Sequence, residues 1–444
     1  MKKSLSLAAI ALAAAIPASA QSLEPGTELA TVYRHLHTYP ELSFQEKQSS
    51  AYLAAELDAL GFEVTTGVGQ DWVVEKAIRD QGIVREGVGG YGVVGVLRNG
   101  DGPTVLLRTD TDALPVPEQT GKPYASKVEA TSWTGVSSPV MHACGHDIHM
   151  TSWVGTARKL VASRDEWSGT LVMIAQPAEE LGLGAPAMLA DGLFERFPQP
   201  DANIALHVNA SQPSGTVSYT EGYALAAVDT VDITVHGSGG HGAYPHTTRD
   251  PVVIAAHIVT ALQTLVARNV NPQDPAVVTV GSIQAGAKHN IISDRAEMKL
   301  TVRTYSDEVR QTLLEGIVRI AEGQAATFGA RKPEVSFETD YIPSTYNDPD
   351  LTAQSIAAIS DAIGEDNVGP TTAVMGGEDF AHYGRTDEQI PSLIFWLGAV
   401  EPEKVASGDA LPSLHSPHFA PDADVTIATG VEAMTAAALA AFKG

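Results

Sequence analysis

Four short stretches of the chain, residues 105–107, 171–175, 204–206 and 393–397, contain no polar side chain at all. Successive residues of a strand point to opposite faces, so an unbroken apolar run marks a strand buried on both sides. Stretches with helical spacing separate these runs. Leu53, Leu57 and Leu60 form one such stripe, with Gly61 as its stop and Ser43-Phe44-Gln45-Glu46 reading as a capping box at its start. The alternation predicts an α/β fold: a mostly parallel sheet covered by helices on both faces.

The middle of the chain follows a different rule. Val231, Ile233 and Val235 alternate with Asp232 and Thr234, and Met298, Leu300 and Val302 alternate with Lys299, Thr301 and Arg303. Period-two alternation describes strands with one wet face, as in an antiparallel sheet. Asp250-Pro251 opens a helix carrying Ile254, Ile258, Leu262 and Leu265 on one stripe. Strands near 277–283 and Val335 and a helix over 307–322 complete the order β-α-β-β-α-β. This α+β unit, residues 226–337, is expected as an insertion into a larger domain formed by 21–225 and 338–444. The 444-residue length suits such a division.

Residues 1–20 read as a cleavable leader, with Lys2 and Lys3, an apolar run over 5–16 and the small-x-small pattern Ala18-Ser19-Ala20. A mature chain starting near Gln21 is expected to be exported, to a periplasm or beyond. No later segment is expected to span a membrane. With 28 Lys and Arg against 53 Asp and Glu the net charge is −25, which argues against a nucleic-acid partner. The single cysteine cannot close an intrachain disulfide.

Polar residues capable of chemistry follow directly on the predicted buried strands. Asp110 and Asp112 follow the first, Glu179 and Glu180 the second, and His207 closes the third. Open α/β sheets bind ligands beyond the carboxyl ends of their strands, so these side chains are expected on one rim. The densest cluster is Met141-His142-Ala143-Cys144-Gly145-His146-Asp147-Ile148-His149. Thiolate and imidazole together suit zinc and similar borderline metals. A buried inert thiol is the usual fate of a lone cysteine, but three histidines and an aspartate within five residues of it argue against that here, whereas a nucleophilic cysteine beside a histidine base also fits this segment alone. An adjacent Glu-Glu pair can supply both a metal ligand and a free base for a metal-activated water, although such pairs are usually solvated surface. His207 could be a core histidine, and His415 and His418 sit in a turn-like stretch.

Taken in order, these segments resemble the M20 metallopeptidase family, in particular its amidohydrolase/aminoacylase branch, which includes hippurate and auxin-conjugate hydrolases. The resemblance begins at His35-Leu36-His37-Thr38-Tyr39-Pro40-Glu41-Leu42. It continues through Arg108-Thr109-Asp110-Thr111-Asp112, the 141–147 run and Gln176-Pro177-Ala178-Glu179-Glu180. Gly239 to His246, Met375-Gly376-Gly377-Glu378-Asp379-Phe380 and Leu414-His415 complete it. It implies a di-metal catalytic domain with an inserted lid that often mediates homodimer formation. By matching position, Cys144, His146, Glu180, His207 and His415 would hold two divalent ions (zinc, manganese or cobalt), with Cys144 a candidate bridge. Glu179 would be the general base and acid, and Asp110 would support the geometry of the site. The wider family often has a histidine ligand where this chain has Arg108, a change the amidohydrolase branch shares. His241 would polarise the scissile carbonyl, reaching across to a partner's site, while Asn290 and Arg303 would hold the substrate. Residues 65–90 and 130–139 are longer than in typical relatives and flank the expected cleft.

The implied activity is hydrolysis of the amide bond of an N-acyl amino acid or a small dipeptide-like substrate. Two other classes fit parts of the pattern: a cysteine hydrolase using Cys144, and a non-catalytic exported protein that binds peptides or amino acids.

Overall fold

The computed structural model describes residues 23–443; the leader expected at 1–20 lies outside the described residues. Its larger domain is built on an eight-stranded sheet. In spatial order the strands are Glu63–Val68, Gly92–Asn99, Gly169–Gln176, Thr104–Asp110, Ala202–Pro213, Ser392–Val400, Val217–Tyr219 and Val368–Pro370. The four apolar runs occupy the four adjacent central strands, and these are mutually parallel. The antiparallel pairings lie toward the two edges.

The two-sided burial has a direct cause. Val105, Leu107, Leu171 and Met173 point into one core, beneath the helices His146–Ala162 and Ala423–Ala441. Leu106, Val172 and Ile174 point into another, against Met188, Phe380 and Tyr383. A polar residue anywhere in these runs would meet a core on whichever side it faced.

The inserted unit forms a separate four-stranded antiparallel sheet, in the order Ala276–Ala285, Arg295–Thr304, Ala227–His236, Glu334–Phe337. Helices Pro251–Asn269 and Asp307–Thr327 complete the βαββαβ order. Ile254, Ile258, Leu262 and Leu265 are all fully buried against Val231, Ile233, Met298 and Leu300. Asp250 accepts from Val252 N (2.9 Å) and Ser306 from Val309 N (3.2 Å), capping the two helices. A short extra pairing of Gly240–His241 with Ile291–Ile292 projects from this unit.

Two expectations need correction. The helix Lys47–Ala59 is not opened by a capping box: its N-cap is Glu46, with no side-chain cap bond. The Ser43 hydroxyl instead donates to Asp112 Oδ2 at 2.6 Å, and the Glu46 carboxylate turns inward to the candidate site. Tertiary partners outcompete the local cap. Secondly, among the described residues two helices, Pro251–Asn269 and Ala423–Ala441, are long and apolar enough by length and composition to cross a membrane. The buried apolar residues of both have other partners in this fold, while Val252 and Val253 of the first stay exposed. The first lays its stripe on the lid sheet, and the second is packed among the helices and strands of the main core.

Candidate metal centre

The Thr104–Asp110 strand ends in a buried aspartate, and the neighbouring Gly169–Gln176 strand runs into Pro177 and a turn at Glu179–Leu181. Ala178 enters that turn in the left-handed region, at φ +53°. Three successive backbone amides are captured there by two buried carboxylates. Ala178 N donates to Glu46 Oε1 (2.8 Å), Glu179 N to Asp112 Oδ1 (3.2 Å) and Glu180 N to Asp112 Oδ2 (3.1 Å). The cost of the left-handed residue is thus offset by hydrogen bonds to buried acids, and both glutamates are fixed at the rim of the sheet.

Gly145 precedes the helix His146–Ala162 at φ +80°, and a Cβ there would lie 2.6 Å from Val208 Cγ2. Glycine is therefore required for both conformation and space, and it sets Cys144 and His146 on either side of the turn. His207 comes from the adjacent Ala202–Pro213 strand. His415 arrives from a loop 271 residues beyond Cys144, held at φ +64° with its N–H on Ala143 O.

These side chains converge. Cys144 Sγ lies 3.6 Å from His207 Nε2 and 3.3 Å from His415 Nε2. Glu180 reaches His415 Nε2 at 3.6 Å and His146 Nε2 at 3.8 Å, and Glu179 reaches the same His146 nitrogen at 3.8 Å. The ligand atoms of Cys144, His146 and His207 lie within 4.8 Å of one another, as do those of Cys144, Glu180 and His415. The thiol is common to both groups.

His146 Nε2 and Glu180 Oε1 are buried with no hydrogen-bond partner among the described residues. Orphaned polar atoms of this kind are costly, and a cation between them would satisfy both. The mixture of thiolate, imidazole and carboxylate fits borderline divalent metals. Burial, then Glu180 and Glu179, push the thiol's pKa well up, which works against a free thiolate nucleophile, whereas a bound cation would favour the thiolate as a ligand.

Behind the candidate ligands lies a charged network whose roles were not legible in single segments. The fully buried Arg108 guanidinium donates to Gln176 Oε1 (3.0 Å), Asp110 Oδ2 (2.6 Å), Glu378 Oε1 (2.8 Å) and Asp379 Oδ1 (3.1 Å). His149 Nε2 accepts from Val208 N at 2.9 Å, so its proton sits on Nδ1, which faces Asp110 Oδ1 at 2.7 Å. Burial would raise the pKa of Asp110, but His146, His149 and Arg108 outweigh it and hold the carboxyl well below its usual range. Glu378 and Asp379 belong to a recognisable motif. Nothing in the local pattern separates Glu46 from an ordinary helix cap.

His37 lies in a second buried set, 2.6 Å from Asp147 and 3.0 Å from Glu118. Burial pushes its pKa down, but these two carboxylates more than compensate and bring it to about 9. A folded pKa raised from 6.5 stabilises the protein fully below pH 6.5, and the contribution is lost as pH rises through about 9. The expected size is about 3 kcal/mol. Urea unfolding at pH 7 and pH 9.5 should show a loss of that order. The His37→Phe variant should lose much less over the same interval, and equal losses would remove His37 as the cause.

A cleft of about 830 Å³ contains Cys144, Glu179, Glu180, His207 and His415, and Arg303 lines it from the lid. His241 and Asn290 are not in its lining. Both are exposed near the lid's short extra pairing, where His241 Nδ1 accepts from Ala243 N (3.0 Å) and Asn290 O accepts from Gly242 N (2.9 Å).

Residues 106–440 match the pattern of peptidase family M20/M25/M40. The chain is 38% identical over 375 residues to N-acetylcysteine deacetylase of Bacillus subtilis, covering 84% of this chain and 88% of that protein. It is 36% identical over 396 residues to thermostable carboxypeptidase 1 of Saccharolobus solfataricus, covering 89% and 90%. Among solved structures, it resembles a dinuclear metal-binding peptidase of the M20 family from Bacillus subtilis. The TM-score is 0.70 at 32% identity, covering 93% of this chain and 96% of that one.

Proposed function

The chain belongs to peptidase family M20/M25/M40 and is a metal-dependent amidohydrolase, and we propose that it cleaves the amide bond of N-acyl amino acids or small dipeptide-like substrates with Glu179 as general base and acid. The observation that carries this reading is the turn bearing both glutamates. Glu180 faces His146 and His415, while Glu179, one residue earlier, faces the same centre with a carboxylate to spare.

Cys144, His146, Glu180, His207 and His415 would hold two divalent ions, with zinc, manganese and cobalt the metals the donor set suits. When bound, such ions polarise the amide carbonyl and acidify water. Glu179 removes a proton from the attacking water as its oxygen bonds to the carbonyl carbon. It then delivers that proton to the nitrogen as the C–N bond breaks, which releases a carboxylic acid and a free amine. Asp112 and Glu46 hold the glutamate turn throughout, so Glu179 need not be reorganised between the two transfers. Arg303, on the lid side of the cleft, offers a guanidinium to the carboxylate of the amino-acid portion.

His241 acts in a homodimer, where the exposed lid pairing reaches the partner's cleft and its imidazole supports the developing oxyanion. Mixing inactive Glu179→Gln and His241→Ala chains should then restore activity, because one hybrid site has both groups; no restoration would place His241 outside the reaction. The leader at 1–20 directs export, and N-terminal sequencing of protein from fractionated cells should find a start near Gln21 outside the cytoplasm.

The decisive measurement is elemental analysis of the purified protein together with amine release from a panel of N-acylated amino acids. About two divalent ions per chain are expected. Activity should vanish on chelation and return with zinc, manganese or cobalt. Turnover that survives complete metal removal would end this reading.

A further inference from the structure

Beside the metal-ligand cluster lies a second cavity, of about 350 Å³, that the proposed chemistry leaves without a task. Its walls include Leu42, Ala113, Leu114, Trp133, Val136 and Leu181. We propose that this cavity receives the acyl group of the substrate, and that the preferred acyl group is bulky and apolar, aromatic or medium-chain, rather than acetyl. The inference rests on the amide-hydrolase reading above and names the substrate class for that same site.

Continuity with the reaction centre is the first argument. Glu180 and Leu181 line both this cavity and the larger cleft, so the two spaces meet at a candidate metal ligand. Charge then sorts the two ends of an acyl amino acid. The larger cleft carries Arg303, a partner for a carboxylate, whereas the smaller cavity has no cationic residue in its lining. A group that enters it gains by leaving water and has no ion pair to form there.

Size is the second argument. At about 30 Å³ per water-sized group, the cavity has room for roughly ten such groups. An acetyl methyl would leave most of that space unfilled, while a phenyl ring or a chain of several methylenes would use it. Val136 and Leu181 are exposed (64% and 37%), so apolar surface is available at the cavity with no partner among the described residues.

Preorganisation is the third. One wall is the hairpin of Glu129–Thr131 and Ser137–Pro139, which spans the long 130–139 segment expected to flank the cleft. Its tip is fixed from the other long segment, because Arg85 Nη1 donates to Trp133 O at 2.7 Å. Gly135 adopts φ +91°, and a Cβ there would meet the same guanidinium at 2.7 Å. Gln45 Nε2 donates to Thr131 O (2.9 Å), and the Trp133 ring stands edge-on to Phe44 with centroids 5.6 Å apart. A wall braced in this way loses little freedom when a ligand enters.

The test uses the metal-loaded enzyme and one amino acid, the fastest in the amine-release panel, carrying acetyl, benzoyl or octanoyl. Wild-type kcat/KM for benzoyl or octanoyl should exceed that for acetyl by at least about tenfold, the scale on which apolar pockets discriminate. Trp133→Ala should reduce that ratio by about tenfold, mainly through KM, and Trp133→Phe should restore most of it. Val136→Asp, at an exposed position, gives an independent probe by placing a carboxylate at the cavity; it too should lower the ratio. Equal or better use of the acetyl substrate by wild type would overturn the inference while leaving amide hydrolysis standing. So would a Trp133→Ala and Val136→Asp pair that leaves the ratio unmoved. Amine release from none of the three derivatives would overturn the amide-hydrolase reading itself, and the inference with it.

Discussion

Glu179→Gln is expected to lower kcat by about 10²–10⁴-fold, the usual contribution of a positioned acid–base group, while leaving the metal content unchanged. The replacement is nearly isosteric. It keeps the backbone amide that donates to Asp112, so the turn carrying Glu180 should stay in place. What it removes is the capacity to take and return a proton. Glu179 is buried, and burial followed by Glu378, Glu180 and Asp379 pushes its pKa well up, with Arg108 opposing. The site thus favours a carboxyl that holds a proton, and bound cations would press the other way. Glu180→Gln provides the contrast: it should lose metal as well as turnover, because that carboxylate faces both His146 and His415. Elemental analysis and steady-state rates on the two variants separate the roles. Undiminished turnover in Glu179→Gln would remove this residue from the proton transfers.

Arg108→Met should cost about 3–5 kcal/mol of folding stability, the range for stripping one partner from a buried ionic network. Its guanidinium is the cation that contacts Asp110, Glu378 and Asp379 together, all in a fully buried setting. Without it, three carboxylates would share a space closed to water. Asp379 is already pushed up to about 7, by burial first and by Glu378 in part, despite the arginine. Removing the cation should therefore drive protons onto these groups and weaken the frame behind Glu179. Equilibrium denaturation measures the loss, and a decrease below about 1 kcal/mol would contradict the role assigned to the network. If Arg108→Met does not fold, Arg108→Lys preserves the charge without the fork and should show a smaller loss of the same sign.

Both predictions depend on contacts that differ in how far they could be read from residue order. The fully apolar runs translate directly into the four central parallel strands, because a strand buried on both faces tolerates no polar position. The lid is similarly legible. Its alternating segments become an antiparallel sheet, and Asp250 and Ser306 cap the helices they precede. Ser43 and Glu46 show where local rules fail. The spacing is right for a capping box, but Asp112 and the Ala178 amide offer these side chains stronger buried partners.

Periodicity acts over a few residues, so the chain alone determined the four buried strands, the alternating strands and helices of the inserted unit, and which residues are chemically able to bind a cation. The placement of Cys144, His146, Glu180, His207 and His415 around one point is a matter of tertiary structure. The order of strands in the sheet brings separate strand ends together, and a loop 271 residues from Cys144 supplies the last imidazole. The cavity beside Glu180 was decided at the same level, since its walls come from four stretches of chain that are remote from one another in sequence. Side-chain identity is written in sequence, but distance between remote side chains is set by packing.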